Sequence, residues 1–126
     1  MNFDFSDDEK LVQDQISRFL RDNCDLSVCR SVLEGEEAFA TAVWQGFSEM
    51  GVQGSAIPAA YGGVEAGYLT LCLAALELGK RLAPVPFSSS IYLAAEAVSR
   101  YGSDSQKETW LPKLASGELI GTLAVT

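Results

Sequence analysis

The spacing of apolar residues along the chain predicts a series of amphipathic helices. Near the N-terminus, apolar residues recur at spacings that place them in a stripe along one face of a helix. A second such stripe begins near Glu36 and ends at Gly51. Glycine favours the left-handed backbone that often terminates a helix. The segment between the stripes predicts at most a short helical turn. The two stripes consist of Val12, Ile16, Phe19 and Leu20, then Phe39, Val43, Phe47 and Met50, with Trp44 beside the second as a core aromatic rather than a domain-interface anchor.

From residue 68 to residue 82 the chain is apolar at almost every helical position. Such a pattern is typical of a helix that other helices surround, so this segment is expected to be the centre of a bundle. Glu77 is the exception, and its carboxylate needs a partner if it is buried. An interhelical hydrogen bond is favoured for it over a role as catalytic base. Ser88, Ser89 and Ser90 then offer N-caps for a helix that runs to about Arg100 and ends at Gly102.

The last quarter of the chain combines a capped helix with a β pattern. Ser103 and Gln106 have the spacing of a capping box, as do Ser6 and Glu9 at the first helix. Pro112 should bend the last helix without ending it, and Gly117 should end it. Residues 119–126 are small and β-branched, which indicates a buried strand. The fold prediction is therefore an all-α bundle of about five helices, residues 1–117, followed by the first strand of a β domain, residues 118–126.

The glycine-rich segment, residues 51–63, resembles a phosphate-binding loop only superficially. Its glycines match neither the dinucleotide fingerprint nor the P-loop, and no Lys-Ser or Lys-Thr pair follows. A structural loop is the favoured interpretation.

Composition narrows the class of protein further. The chain has 126 residues and a net charge of −8, so one domain is expected and polyanionic partners, nucleic acid or an anionic membrane, are disfavoured. There are three cysteines and no histidine, which leaves no metal-ligand set and no imidazole base. The acidic N-terminus and the short apolar run at residues 69–76 predict neither a targeting peptide nor a membrane span, which needs roughly 20 residues. A soluble cytoplasmic protein with reduced thiols is expected.

Two motifs resemble a known family. The run Y-G-S-D-S-Q-K-E-T-W-L-P-K-L-A-S-G at residues 101–117, with L-A-V-T at 123–126, is similar to the junction between the N-terminal helical domain and the middle β domain of acyl-CoA dehydrogenases. The loop I-P-A-A-Y-G-G at residues 57–63 is also similar, although family members usually carry an acidic pair in place of Ala59 and Ala60.

The resemblance implies an FAD-dependent enzyme that oxidises an acyl-CoA thioester to the trans-2-enoyl-CoA. In that family a carboxylate base removes the α-proton and the flavin accepts the β-hydrogen with its electron pair. The base is a glutamate of the C-terminal helical domain, outside this sequence, so no catalytic residue and no metal ligand is assigned here. By the same resemblance, Leu123, Val125 and Thr126 are cofactor-binding candidates, and Ser89 and Leu93 face the acyl chain. Electron-transfer flavoprotein is the implied electron acceptor, and a dimer or tetramer is the implied assembly.

Two alternatives stay open at this point. The chain would be a non-catalytic helical interaction module, or a subunit of the same fold without the chemistry. Alternatively, it would be part of a flavin oxidase or monooxygenase that shares this domain. The fragment by itself is expected to be inactive and to bind FAD weakly or not at all.

Overall fold

The computed structural model describes residues 4–126, which fold into a bundle of α-helices. Among these residues there are six α-helices, one π-helical segment and two short 3₁₀ turns, and no strand. The all-α prediction is confirmed. The α-helices are α1 Asp7–Asn23, α2 Leu26–Leu33, α3 Thr41–Glu49, α4 Gly67–Lys80, α5 Glu96–Tyr101 and α6 Asp104–Ala115, and the π-helical segment is Ser88–Ala95, directly before α5.

Both predicted capping boxes are present. The Ser6 hydroxyl accepts from the amide of Glu9 at 3.2 Å, and the Glu9 carboxylate accepts from the amide of Ser6 at 2.7 Å. At α6, Ser103 and Gln106 exchange the same two hydrogen bonds at 3.3 and 2.8 Å. These bonds satisfy amides that have no partner within the helix, which is why each helix begins where the sequence indicates.

Two helix boundaries differ from the prediction. Residues 26–33 form a full helix, α2, because the Asp25 carboxylate caps it by accepting from the amides of Ser27 and Val28. In contrast, α3 begins at Thr41 rather than near Glu36. The amide of Ala40 donates instead to the Pro84 carbonyl at 2.9 Å, outside any helix. Phe39 still packs on the core from this irregular segment, which explains its place in the apolar stripe.

The main core lies between α1, α3 and α4 and extends to the π-helical segment. A row of aromatic rings crosses it, with centroid separations of 5.9 Å for Phe19–Phe47, 5.9 Å for Phe47–Phe87 and 5.5 Å for Phe87–Tyr92. Trp44 is only 4% exposed, as expected of a core aromatic. A second, smaller cluster joins the loop after α3 to α6, and it consists of Ile57, Ala95, Leu111, Leu114 and Ala115.

Helix α4 is buried on one side only. Its inner face includes Leu71, Ala74 and Leu78, and Glu77 finds the expected interhelical partner in Gln13 of α1, at 2.8 Å. The expectation that other helices surround α4 is wrong for its outer face within the described residues. Side chains on that face are exposed, namely Tyr68, Leu69, Cys72 and Leu76.

The glycine-rich segment is a structural loop. Gly51 and Gly62 have φ angles of 72° and 78°, and a Cβ on Gly63 would overlap the Ile57 carbonyl. The amides of Val64 and Gly67 donate to carbonyls of Gly54 and Ser55, each at 2.9 Å. These amides are therefore engaged within the loop rather than free to bind a phosphate.

The end of the chain departs from the predicted strand. Helix α6 continues past Pro112 to Ala115, and Gly117 turns the chain with a φ of 72°. Residues 119–126 then form neither helix nor strand, because no other strand exists among residues 4–126 to supply ladder hydrogen bonds. The domain boundary after residue 117 stays a prediction. No helix in the described part of the chain is long and apolar enough to cross a bilayer.

Candidate functional site

The C-terminal segment is held against the helix that contains the predicted acyl-facing residues. The amide of Gly121 donates to the hydroxyl of the fully buried Ser90 at 3.1 Å. Gly121 also lies so close to the helix that a Cβ on it would overlap Ala94. This contact requires glycine, and it places residues 119–123 alongside the π-helical segment and α5.

An apolar cavity of about 360 Å³ opens between these elements and α6. No lining side chain carries a charge, and the indole of Trp110 is the largest flat surface in it. The cavity can accommodate an apolar or planar group, but its lining has no titratable group that could move a proton. The lining residues are Ala94, Ala97, Val98, Trp110, Leu114, Leu119, Gly121, Thr122 and Leu123.

The three predicted cofactor-binding residues lie at and beyond the edge of this cavity. Leu123 lines it and is 47% exposed, Val125 is 86% exposed, and Thr126 is exposed. Within the described residues, the backbone of residues 122–126 forms no hydrogen bond. Its amides and carbonyls, and the Thr126 hydroxyl, are therefore available to a polar ligand.

The two predicted substrate-facing residues lie on the same helix but outside the cavity. Ser89 is half-buried, and its hydroxyl donates to the Pro86 carbonyl at 3.2 Å. Leu93 is 47% exposed. Neither residue lines a second cavity of about 230 Å³, which is bounded by Ala75, Leu78, Gly79, Leu82, Ala83, Val85, Phe87, Ser88 and Tyr92. The structure thus brings Leu123 to this helix, whereas Ser89 lies outside the cavity that Leu123 lines.

The π-helical backbone of residues 88–95 was not anticipated from the sequence. Such segments are rare in proteins as a whole. Where they do occur they often lie at functional sites, because the wider turn changes the direction of successive side chains. No residue type predicts a π-helix, so the spacing of apolar residues in 88–100 indicated only that the segment is helical. The prediction that Ser88, Ser89 or Ser90 caps this helix is wrong, because all three lie inside it after Phe87 and the buried Ser90 hydroxyl accepts from Gly121 instead.

Two titratable groups of the bundle, Tyr92 and Glu77, make hydrogen bonds that hold its elements together. Burial raises the pKa of Tyr92 to about 12, and its hydroxyl donates to the Leu71 carbonyl at 2.9 Å. Burial alone would raise the pKa of Glu77, but hydrogen bonds from Lys80, Gln13 and Ser17 outweigh it and leave the pKa below its usual value. A carboxylate with a lowered pKa that accepts from both Gln13 and Lys80 is a weak proton acceptor, which favours a structural role for Glu77.

Comparison with known proteins identifies the class. Residues 6–118 match the family model described as the N-terminal domain of acyl-CoA dehydrogenase. Because the match covers most of the chain, this chain belongs to the acyl-CoA dehydrogenase family.

The similarity extends over the chain in individual relatives. It is 32% identical over 126 residues to mitochondrial isovaleryl-CoA dehydrogenase of Arabidopsis thaliana, covering 97% of this chain and 30% of that protein. It is 29% identical over 127 residues to acryloyl-CoA reductase (NADH) of Anaerotignum propionicum, covering 100% of this chain and 32% of that protein. The chain spans about a third of the length of these curated relatives.

Solved structures share the fold. A chain of the ChsE4-ChsE5 complex of Mycobacterium tuberculosis superimposes with a TM-score of 0.87 at 28% identity, covering 97% of this chain and 34% of that one. Acyl-CoA dehydrogenase from Bacillus anthracis, crystallised with FAD, has a TM-score of 0.68 at 22% identity, covering 93% of this chain and 20% of that one.

Proposed function

We propose that this chain is the N-terminal part of an FAD-dependent acyl-CoA dehydrogenase that converts an acyl-CoA thioester to the trans-2-enoyl-CoA. The observation that carries the proposal is the family match over residues 6–118. One relative is named as a dehydrogenase and another as a reductase of short acyl-CoA thioesters. These names describe the formation and the reduction of the same carbon–carbon double bond.

The residues of the site fit a flavin. An isoalloxazine ring needs an apolar surface against its faces and hydrogen-bonding groups at its edge. The cavity next to Leu123 supplies the apolar surface, and the unpaired backbone of residues 122–126 supplies donors and acceptors. Bound FAD would accept the β-hydrogen of the substrate together with its electron pair.

The chain's own residues bind and orient rather than react. Thr126 carries a hydroxyl that can both donate and accept, so we assign it to the polar edge of the flavin, with Leu123 and Val125 beside it. We assign Ser89 and Leu93 to the acyl chain, since they lie exposed or half-buried on the adjoining helix. With a flavin bound, the apolar lining would exclude water from this side of the pocket and so strengthen the hydrogen bonds at the flavin edge.

The rest of the chemistry lies in other parts of the proposed enzyme. We place the α-proton acceptor on a carboxylate outside this chain, since neither Glu77 nor Glu96 is free for that role. Glu77 accepts from Gln13 and Lys80, and Glu96 accepts from Tyr68 at 2.9 Å and pairs with Arg100. A dimer or tetramer, electron-transfer flavoprotein as acceptor, and a cytoplasmic location complete the proposal. A complex of two different chains is an available form of assembly, since a structural relative is described as one.

The test uses a full-length protein that carries this chain. It would be purified and incubated with a panel of acyl-CoA thioesters and an artificial electron acceptor, and the products analysed by mass spectrometry. The proposal predicts loss of two hydrogens from at least one thioester, with the acceptor reduced. Absence of flavin and of turnover would instead favour a non-catalytic subunit, and oxygen consumption without the acceptor would favour an oxidase or monooxygenase.

A reductive activity is the second candidate, because one of the two relatives is an NADH-dependent acryloyl-CoA reductase at 29% identity. The same protein would be incubated with an enoyl-CoA and NADH. Net reduction that is faster than the oxidative reaction would select this candidate over the first.

A further inference from the structure

The buried hydroxyl of Ser90 differs from those of comparable residues in other helices of this chain. A serine or threonine within a helix can donate to the carbonyl one turn earlier. Ser48 in α3, Thr70 in α4 and Thr109 in α6 do so, at 3.2, 3.1 and 2.7 Å. Ser90 makes no such bond within residues 4–126, and its oxygen accepts from the amide of Gly121, 31 positions along the chain. This hydroxyl therefore joins two separate segments.

The bond between Ser90 and Gly121 is the last hydrogen bond that ties the C-terminal segment to the bundle. Before it, the amide of Leu119 donates to the Lys113 carbonyl at 3.0 Å. After it, the backbone of residues 122–126 makes no hydrogen bond to any described residue. The placement of residues 122–126 relative to the bundle therefore depends on the contacts of Gly121.

Close packing reinforces this bond. A Cβ on Gly121 would lie 2.5 Å from the Ala94 Cβ and 3.4 Å from the Leu114 Cδ2, so the backbone lies between the π-helical segment and α6. Ser90 and Ala94 are four residues apart, which places them on the same side of their helix. One side of this helix thus supplies both the hydrogen bond and the packing that fix Gly121.

The residues assigned to the acyl chain directly precede these two in the sequence. Ser89 and Leu93 are also four residues apart, and each comes one position before Ser90 and Ala94. Ser90 is 0% exposed, whereas Ser89 is half-buried and Leu93 is 47% exposed. One short helix therefore contacts the segment assigned to the flavin and also carries the residues assigned to the substrate.

We propose that Ser90 is a positioning residue, whose hydroxyl fixes residues 119–126 to the π-helical segment and thereby sets the distance between the acyl chain and the flavin. The inference rests on the proposed function, which assigns Ser89 and Leu93 to the acyl chain and Thr126 to the flavin. Two bound groups react efficiently only when the reacting atoms are about 3–3.5 Å apart, so a small displacement of either segment lowers the rate. Ser90 is fully buried and acts through Gly121.

The test compares two variants of a full-length protein that carries this chain. Ser90→Thr keeps the hydroxyl, and Ser90→Val replaces it with a methyl group, so both variants add similar volume at the same buried position. The exchange of the Gly121 amide hydrogen with solvent should be about tenfold faster in Ser90→Val than in Ser90→Thr, because this amide loses its acceptor.

The same pair of variants tests the effect on the reaction. Reduction of bound flavin by an acyl-CoA thioester that the wild type oxidises should be about tenfold slower in Ser90→Val than in Ser90→Thr. The dissociation constant of that thioester should change by less than about twofold, because Ser89 and Leu93 are unaltered. A loss of rate without a loss of binding is the result expected of a positioning residue.

Two further variants complete the design. Ser90→Ala removes the hydroxyl without adding volume, so it should show the same changes relative to the wild type even if the core does not accept a larger side chain. Ser55→Ala is the matched control, because Ser55 is 3% exposed and its hydroxyl donates to the Val52 carbonyl at 2.8 Å, in the loop after α3. It should leave both the Gly121 exchange and the flavin reduction at wild-type rates.

Failure of this inference is distinguishable from failure of the proposed function. If the wild type contains flavin and reduces it at the same rate in Ser90→Ala, or if Ser90→Thr and Ser90→Val reduce it equally fast, the positioning role is overturned and the proposed function is not. A wild type that binds no flavin would overturn the proposed function. Faster exchange of the Gly121 amide in Ser90→Val would then still support Ser90 as the residue that holds the segment, and equal exchange would overturn that role as well.

Discussion

The indole nitrogen of Trp44 donates a hydrogen bond to the carbonyl oxygen of Gly117 at 2.9 Å, although the two residues are 73 positions apart in the sequence. The bond fixes the end of α6 to α3, at the point where the chain leaves the helical bundle. Gln53 and Ser48 surround the same turn, and the Gln53 side chain donates to the Trp44 carbonyl at 2.9 Å. The direction in which residues 118–126 leave the bundle is therefore set by buried hydrogen bonds.

Gly117→Ala should destabilise the fold strongly. Gly117 has a φ of 72°, and an added Cβ would overlap the Ser48 hydroxyl and lie 3.1 Å from the Trp44 indole nitrogen. Backbone strain and overlap together should lower the free energy of unfolding by about 3 kcal/mol. Gly35→Ala is the matched control, because Gly35 has a φ of 81° but nothing within 4 Å of an added Cβ. It should cost about 1 kcal/mol. The free energy of unfolding of both variants would be measured by urea denaturation. Equal losses in Gly117→Ala and Gly35→Ala would show that the packing around Gly117 does not contribute to stability.

Trp44→Phe should destabilise the protein by about 2 kcal/mol, because it removes the donor to a part-buried carbonyl and leaves a gap in the core. Trp110→Phe serves for comparison, since Trp110 is 42% exposed and makes no hydrogen bond among the described residues. We expect a loss of about 0.5 kcal/mol for that variant. Chemical denaturation of both variants measures the difference, and a loss for Trp44→Phe no larger than for Trp110→Phe would contradict this role of the indole.

Glu77 should make the stability of the protein depend on pH in the acidic range. Its folded-state pKa is lowered, so its contribution is present above the unfolded-state value and is lost as the pH falls through the folded-state pKa. Glu77→Gln should therefore be less stable than the wild type at neutral pH, by about 2 kcal/mol, because the hydrogen bond to Lys80 loses its charge. The difference in the free energy of unfolding between Glu77→Gln and the wild type should shrink below about pH 4.5.

The exposed Glu108 provides the control for this titration. Glu108→Gln should leave the stability within about 0.5 kcal/mol of the wild type at neutral pH. A difference between Glu77→Gln and the wild type that stays constant from neutral pH to pH 3 would refute the ionic role of Glu77.

Gly121→Ala should displace the C-terminal segment from the helix, because the new Cβ would overlap Ala94. The indole of Trp110 lines the adjoining cavity, so its fluorescence should shift to longer wavelength as water enters. The double variant Gly121→Ala/Ala94→Gly removes the opposing methyl group and should recover most of the wild-type spectrum. If the double variant shifts as far as the single one, contact with Ala94 does not hold the segment.

The sequence predicted those features that depend on neighbouring residues. Ser6 and Ser103 start their helices because a hydroxyl three residues before a Glu or Gln caps a helix in almost any context. Gly51 and Gly117 end helices because they adopt positive φ angles at little cost. Asp25 was missed as a cap because Val28, rather than a Glu or Gln, lies three residues after it, so no capping box marks the start of α2.

Features that depend on distant contacts could not be predicted. Nothing near Ser90 in the sequence shows that its hydroxyl accepts from Gly121, and nothing near Leu69 shows that one face of an apolar helix is exposed. The predicted strand at residues 119–126 also depends on a distant partner, because a strand needs another strand for its hydrogen bonds. The cofactor and substrate assignments rest on resemblance, and they remain predictions.

The most direct test of the account is the flavin environment of a full-length holoprotein with Thr126→Val. Thr109→Val is its control, since the Thr109 hydroxyl donates to the Ser105 carbonyl within α6, at 2.7 Å. We predict that Thr126→Val shifts the flavin absorption spectrum and slows flavin reduction by acyl-CoA at least tenfold, while Thr109→Val changes neither. Full flavin content, spectrum and reduction rate in Thr126→Val, or a full-length protein that binds no flavin, would contradict the assignment of this segment to the cofactor site.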